Sequence, residues 1–114
     1  MSFQKVARVE EIRPGRTRFL HVGSRPLVLT NFEGRIYALC GLCPHQNNPL
    51  EGAVMWDHLI DCPFHHFMYD VRTGENYFPR NVYPKDYQRL EAQLRPLPTY
   101  KVEVKDGDVW VDLE

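Results

Sequence analysis

The chain has 114 residues, of which 43% are apolar, and its 14 Lys and Arg nearly balance its 15 Asp and Glu, giving a net charge of −1. This length and composition predict one folded domain over residues 1–114. The low net charge, without any Lys/Arg run, argues against nucleic acid as the main partner. No apolar run is long enough to span a membrane, and residues 1–15 contain no apolar signal core. We therefore expect a cytoplasmic protein without a membrane anchor.

Short β patterns recur along the chain. Turn dipeptides, Glu33-Gly34 and Asp106-Gly107, separate neighbouring apolar runs and predict hairpins. The regular spacing of the short strands predicts an all-β fold, a small antiparallel sandwich or barrel. The predicted strands are residues 3–9, 19–22, 27–32, 36–39, 53–56, 59–61, 67–71, 100–104 and 109–113.

Residues 80–96 break this pattern. Three large side chains recur there at helical spacing and a proline stands near each end: Tyr87, Leu90 and Leu94, with Pro84 and Pro96. They predict one short helical insertion at about 84–94. The segment carries four basic and two acidic residues, whereas residues 31–79 carry two arginines and six carboxylates. These opposite balances predict a molecule with a polarised surface.

Two short loops carry paired Cys and His residues. CPHQNN contains Cys43 and His45, and 16 residues after that histidine CPFHHF contains Cys62 and His65. Thiolates are soft donors and imidazoles bind iron, zinc or copper. A proline follows each cysteine and stiffens its loop. A lone Cys or His is most often structural, but two such pairs in similar loops predict one shared metal centre.

The residue types leave other kinds of site open. A catalytic Cys–His pair would use one of the two pairs and leave the other without a role. A zinc site of two Cys and two His fits the donors, although Cys-x-His spacing is less usual for zinc than Cys-x-x-Cys. The third cysteine, Cys40, is expected to be a buried thiol.

Beyond the four donors, the surrounding sequence resembles the Rieske iron–sulfur motif, Cys-x-His followed by Cys-x-x-His. The similarity runs through CPHQNNPLEGAV (residues 43–54) and IDCPFHHFMYDVRTGE (residues 60–75). The closing VEVKDGDVWVDL resembles the last hairpin of that family. The resemblance covers nearly the whole chain except residues 80–96. It implies a Rieske-type β fold with a cluster-binding subdomain.

The resemblance also implies one [2Fe–2S] cluster and a division of its ligands. Cys43 and Cys62 would bind one iron through sulfur, and His45 and His65 would bind the other through a ring nitrogen. Two thiolates leave the oxidised centre neutral, whereas four would make it anionic. Replacing two Cys by two His therefore raises the reduction potential, to a range of roughly −150 to +300 mV.

Within the family, the chain resembles the ferredoxin type. Members of membrane complexes carry two more cysteines as a disulfide, and here Asn48 and Phe64 stand at those positions. This implies an electron carrier, not an enzyme in itself, that passes single electrons from a reductase to a terminal oxygenase or a similar redox enzyme. The alternatives are a small subunit of a nitrite-reductase-like complex and a structural zinc-binding module. His66, where the family usually has Gly, is expected to shield the cluster, contact a partner or face solvent.

Overall fold

Twelve short strands and one 3-10 turn make up the described part of this computed structural model, which comprises residues 3–43, 48–63, 68–78 and 96–113. In chain order they are β1 (Phe3–Arg8), the turn (Val9–Glu11), β2 (Thr17–Val22), β3 (Arg25–Phe32), β4 (Arg35–Cys40), β5 (Leu42–Cys43), β6 (Asn48–Pro49), β7 (Val54–Trp56), β8 (Leu59–Asp61), β9 (Met68–Asp70), β10 (Asn76–Phe78), β11 (Thr99–Lys105) and β12 (Asp108–Asp112).

The larger sheet joins both ends of the chain. Its order is β1-β12-β11-β4-β3-β2, and every neighbouring pair is antiparallel. Two of its hairpins close on the predicted dipeptides. Glu33 and Gly34 have φ of 54° and 85°, and Asp106 and Gly107 have φ of 54° and 79°. Successive left-handed residues match the right-handed twist of the flanking strands, so both hairpin predictions are confirmed.

The smaller sheet carries the second Cys/His loop. Its order is β10-β9-β8-β7, again antiparallel, and the short β5–β6 pair stands beside it as a separate ribbon. Strands of two residues hold too little periodic signal to be recognised from sequence, so β5 and β6 were not among the predicted strands. Strand β10 was not predicted either, although β7, β8 and β9, which are equally short, lie within the predicted strands 53–56, 59–61 and 67–71.

Two hydrophobic clusters lie on opposite faces of the larger sheet. Along β3 the side chains alternate between them: Val28 belongs to one cluster, and Leu27 and Leu29 belong to the other. The cluster with Val28 also contains Ile60 and Tyr69 of the smaller sheet, so it packs the two sheets together. The all-β prediction is confirmed.

Strand β1 is shorter than predicted. The expected strand at 3–9 ends at Arg8, whose N–H donates to the Glu11 carboxylate at 2.7 Å and opens the 3-10 turn. The predicted helical insertion at about 84–94 lies outside the described residues. Within the described ranges, no helix has the length and apolar character needed to cross a bilayer.

Candidate metal centre

The first Cys/His loop is closed by the β5–β6 ribbon. Leu42 pairs with Pro49 and Cys43 pairs with Asn48, so the backbone of the predicted ligand Cys43 forms the last paired position before the loop. Antiparallel partners lie about 5 Å apart, which fixes the separation of the loop ends. The predicted ligand His45 lies outside the described residues.

The second loop is built in a similar way. Asp61 of β8 pairs with Met68 of β9, and the predicted ligand Cys62 follows Asp61 directly. The Cys62 side chain is 0% exposed and belongs to the hydrophobic cluster between the two sheets. The predicted ligand His65 and its neighbour His66 lie outside the described residues. Both predicted cysteines therefore stand at the base of a loop closed by a strand pair.

Gly41 attaches the first loop to the larger sheet. Its N–H donates to the Pro26 carbonyl at 3.1 Å, and its own carbonyl accepts the Leu50 N–H at 2.8 Å. A Cβ at this position would lie 2.7 Å from the Leu27 nitrogen, so only glycine permits this approach. We did not predict a role for Gly41 from the sequence. The available signal was its position two residues before Cys43.

The turn after β9 is held together by the Asp70 carboxylate. The Asp70 carboxylate accepts the Arg72 backbone N–H at 2.9 Å and two guanidinium N–H groups at 3.0 and 2.9 Å. Burial raises the pKa of Asp70, but hydrogen bonds and charge from Arg72 outweigh it, and the pKa lies below its ordinary value. The Arg72 guanidinium also stands over the Phe32 ring at 5.7 Å. The turn therefore joins the smaller sheet to β3.

Gly74 ends this turn and receives the returning chain. It has a φ of 80° and its N–H donates to the Asp70 carbonyl at 2.7 Å. Its carbonyl accepts the Leu97 N–H, also at 2.7 Å, and Leu97 is buried in the cluster that contains Cys62. The contact of Gly74 with Leu97 has no local signal in the sequence, because 23 positions separate the two residues.

The remaining described Cys and His side chains have other surroundings. Cys40 is a half-buried free cysteine, packed against the cluster between the sheets. Burial raises the pKa of the neighbouring Tyr100 hydroxyl, and Cys40 raises it further. His21 meets the Phe19 ring edge-on, with centroids 5.2 Å apart. His58 Nδ1 lies 3.0 Å from the Asp57 carboxylate.

The described Cys62 fits an iron–sulfur cluster. Its side chain is 0% exposed, so burial alone would keep the thiol neutral, and a bound metal would supply the positive charge that stabilises the thiolate. Among the described residues, no three His, Cys, Asp or Glu side chains form a metal-binding group. The predicted set includes His45 and His65, which lie outside those ranges.

Comparison with known proteins identifies the class of this β domain. Residues 2–100 match the Rieske [2Fe-2S] domain family. The ferredoxin component of the alkene monooxygenase system of Xanthobacter autotrophicus is 31% identical over 83 residues, 72% of this chain and 68% of that protein. The ferredoxin component of biphenyl 2,3-dioxygenase from Rhodococcus jostii is 27% identical over all of this chain and 95% of its own length.

A solved structure shows the same fold. A chain in the complex of reduced oxygenase and oxidised ferredoxin in carbazole 1,9a-dioxygenase is similar over 98% of this chain and 97% of its own length. The TM-score is 0.76 and the identity is 28%. The protein therefore belongs to the Rieske [2Fe–2S] domain family, as its sequence motif indicated. The cofactor of that domain is one [2Fe–2S] cluster.

Proposed function

We propose that this chain is the ferredoxin component of an oxygenase system, carrying single electrons from a reductase to a terminal oxygenase. The match of residues 2–100 to the Rieske domain carries this proposal. Relatives named as ferredoxin components of a monooxygenase and of a dioxygenase support the partner class. The chain itself transforms no substrate, and we propose that it acts in the cytoplasm.

We propose that Cys43 and Cys62 bind one iron of the cluster and that His45 and His65 bind the other. Support comes from the two strand pairs, which close the loops directly beside both cysteines. When bound, the cluster accepts and returns one electron. The protein holds its ligands, excludes water and adjusts the energy of the added electron.

The surrounding residues serve this role by holding the base of each loop in place and by keeping Cys62 dry. Leu50 and Ile60, both 0% exposed, belong to the same cluster as Cys62 and exclude water from its thiol. The close backbone contacts of Gly41 fix where the chain leaves the larger sheet before the first loop, and those of Gly74 fix the turn after β9. A rigid site changes little between oxidation states, which favours rapid electron exchange.

Spectroscopy with matched substitutions tests this proposal. The protein, purified without oxygen, is expected to contain two iron atoms per chain, as the cofactor requires, and to give a rhombic Rieske EPR signal after dithionite reduction. His65→Ala and Cys62→Ser remove proposed ligands and should abolish that signal. His66→Ala and Cys40→Ser make the same substitutions outside the ligand set and should preserve it.

The opposite results would be informative. A colourless protein that contains zinc would show a structural zinc module instead of an electron carrier. Loss of the signal in Cys40→Ser, with retention in Cys62→Ser, would overturn the ligand assignment.

A further inference from the structure

The smaller sheet turns an apolar face away from the core. In the registers of β7, β8 and β9, Val54 lies opposite Asp61 and Trp56 lies opposite Leu59. Directly paired residues project to the same side of a sheet. Met55 and Ile60, which alternate with them, point into the core. We call the opposite side the outer face; its apolar members on β7, β8 and β9 are Val54, Trp56, Leu59 and Met68.

This face concentrates exposed apolar surface. Among the described residues, four large hydrophobic side chains are exposed. Three belong to the smaller sheet, namely Val54 at 54% and Trp56 at 60% on the outer face and Tyr77 at 47% on β10. The fourth, Val104 at 52%, lies on β11 of the larger sheet. Single exposed apolar residues are ordinary, but several together on one face indicate a binding surface.

Among the described residues, the charge around the outer face has one dominant sign. Residues 48–78 contain five carboxylates and a single basic residue, Arg72, which is already bonded to Asp70. Residues 3–43 and 96–113 together contain nine Lys and Arg against seven Asp and Glu. The outer face is therefore an apolar centre within the acidic part of the protein. Such a surface complements a partner with basic residues around an apolar patch.

The outer face also adjoins the proposed cluster site. Val54, on this face, pairs with Asp61, the residue before Cys62. From Val54 to the turn at Asp57, the β7–β8 hairpin extends for three residues, roughly 10 Å. A protein seated on this face would lie alongside the Asp61–Met68 pair at the base of the second Cys/His loop.

We propose that the outer face docks a redox-partner protein with a basic rim and an apolar centre. The partner assignment rests on the proposed function, and the location rests on the exposure and charge of these residues. Opposite charges would accelerate and orient the encounter, and Trp56 with Val54 would fill the dry centre of a short-lived contact.

Two valines make a matched test. Val54→Lys and Val104→Lys change the same residue type at nearly equal exposure and alter the net charge equally. The reduced protein is mixed with ferric mitochondrial cytochrome c, a basic electron acceptor, in a stopped-flow instrument. We expect Val54→Lys to lower the second-order rate constant about fivefold and weaken its dependence on salt. Val104→Lys should change it less than about twofold. EPR amplitude verifies equal cluster content.

Carbodiimide cross-linking provides a readout that is independent of electron transfer. Links from cytochrome c lysines to Glu51, Asp57 or Asp61 are expected, and Val54→Lys should reduce their yield. Links confined to carboxylates of the larger sheet would overturn the proposal. So would a dimer dispersed by Val54→Lys, because a second copy would then occupy the face. An internal link from Lys85 to Asp57 would assign the face to the chain's own residues 79–95.

The two proposals fail in different ways. A chain without an iron signal contradicts the electron-carrier function, while the cross-links still report whether a basic protein docks on the outer face. If the Val54→Lys and Val104→Lys variants reduce cytochrome c at equal rates, the electron-carrier function stands and the docking face is refuted.

Discussion

Gly74 shows how much can depend on one missing side chain. It adopts a left-handed conformation and also accepts the returning chain at Leu97. A Cβ there would overlap the Leu97 carbonyl oxygen, which is backbone and has little freedom to move. Gly52 has almost the same φ, 82° against 80°, but a Cβ on it would meet nothing within 4 Å. Comparing Gly74 with Gly52 therefore separates the energetic cost of backbone strain from the cost of crowding.

Gly74→Ala should therefore destabilise the protein more than Gly52→Ala. The left-handed conformation alone costs alanine about 1 to 2 kcal/mol. Crowding at Gly74 should add about 2 kcal/mol to that loss in the free energy of unfolding. Urea titrations of both variants followed by circular dichroism measure the difference. Equal losses would mean that the Leu97 segment moves aside without cost.

At the scale of elements, Leu50 fastens the β5–β6 ribbon to the core. Its N–H bonds to Gly41, and its side chain is 0% exposed in the cluster that contains Cys62. A ribbon of two residue pairs is too short to be stable alone. Burial of Leu50 therefore holds the β5–β6 ribbon against the sheets.

Leu50→Ala is expected to lower the free energy of unfolding by about 2 to 5 kcal/mol, because it leaves a cavity in the core. Val54→Ala, four residues later but exposed, should cost less than about 1 kcal/mol. Denaturant unfolding compares them, with the Rieske absorbance recorded in parallel. Similar losses in both variants would contradict the anchoring role of Leu50.

These elements also show what local sequence can predict. Period-two patterns and the dipeptides Glu33-Gly34 and Asp106-Gly107 were sufficient for the longer strands and two hairpins, because strand and turn preferences are local. The pairing of β1 with β12 joins the two ends of the chain and has no local signal. The motif predicted the class of site from residue types, but not that Cys62 is fully buried or that Gly41 contacts Pro26. Those depend on the packing of distant strands.

At the scale of the whole molecule, the two hydrophobic clusters are not independent. Strands β3 and β4 contribute alternate residues to both: Val28 and Leu39 face the smaller sheet, and Leu29 and Ala38 face the other way. Because both clusters depend on the same two strands, disruption of one cluster would also destabilise the strands that form the other. This sharing supports the proposal that residues 1–114 form a single domain.

One cooperative unfolding transition should follow from that sharing. The two tryptophans report on different sheets: Trp56 on β7 and Trp110 on β12. Fluorescence of Trp110 in the Trp56→Phe variant should change together with the far-ultraviolet circular dichroism of the same variant. Trp56 in Trp110→Phe should behave likewise. A fluorescence midpoint separate from the dichroism midpoint in either variant would indicate two units that unfold independently.

The strand pairs at the base of both Cys/His loops have a consequence for how such proteins diversify. Cys43 and Asn48 fix the ends of one loop, and Asp61 and Met68 fix the ends of the other. Lengthening a loop whose ends are already held costs free energy only slowly, as the logarithm of its length. The length of each loop can therefore change while the strand pair at its base stays the same. A substitution at Cys62 would also alter the hydrophobic cluster between the two sheets, so that donor is tied to the packing of the frame.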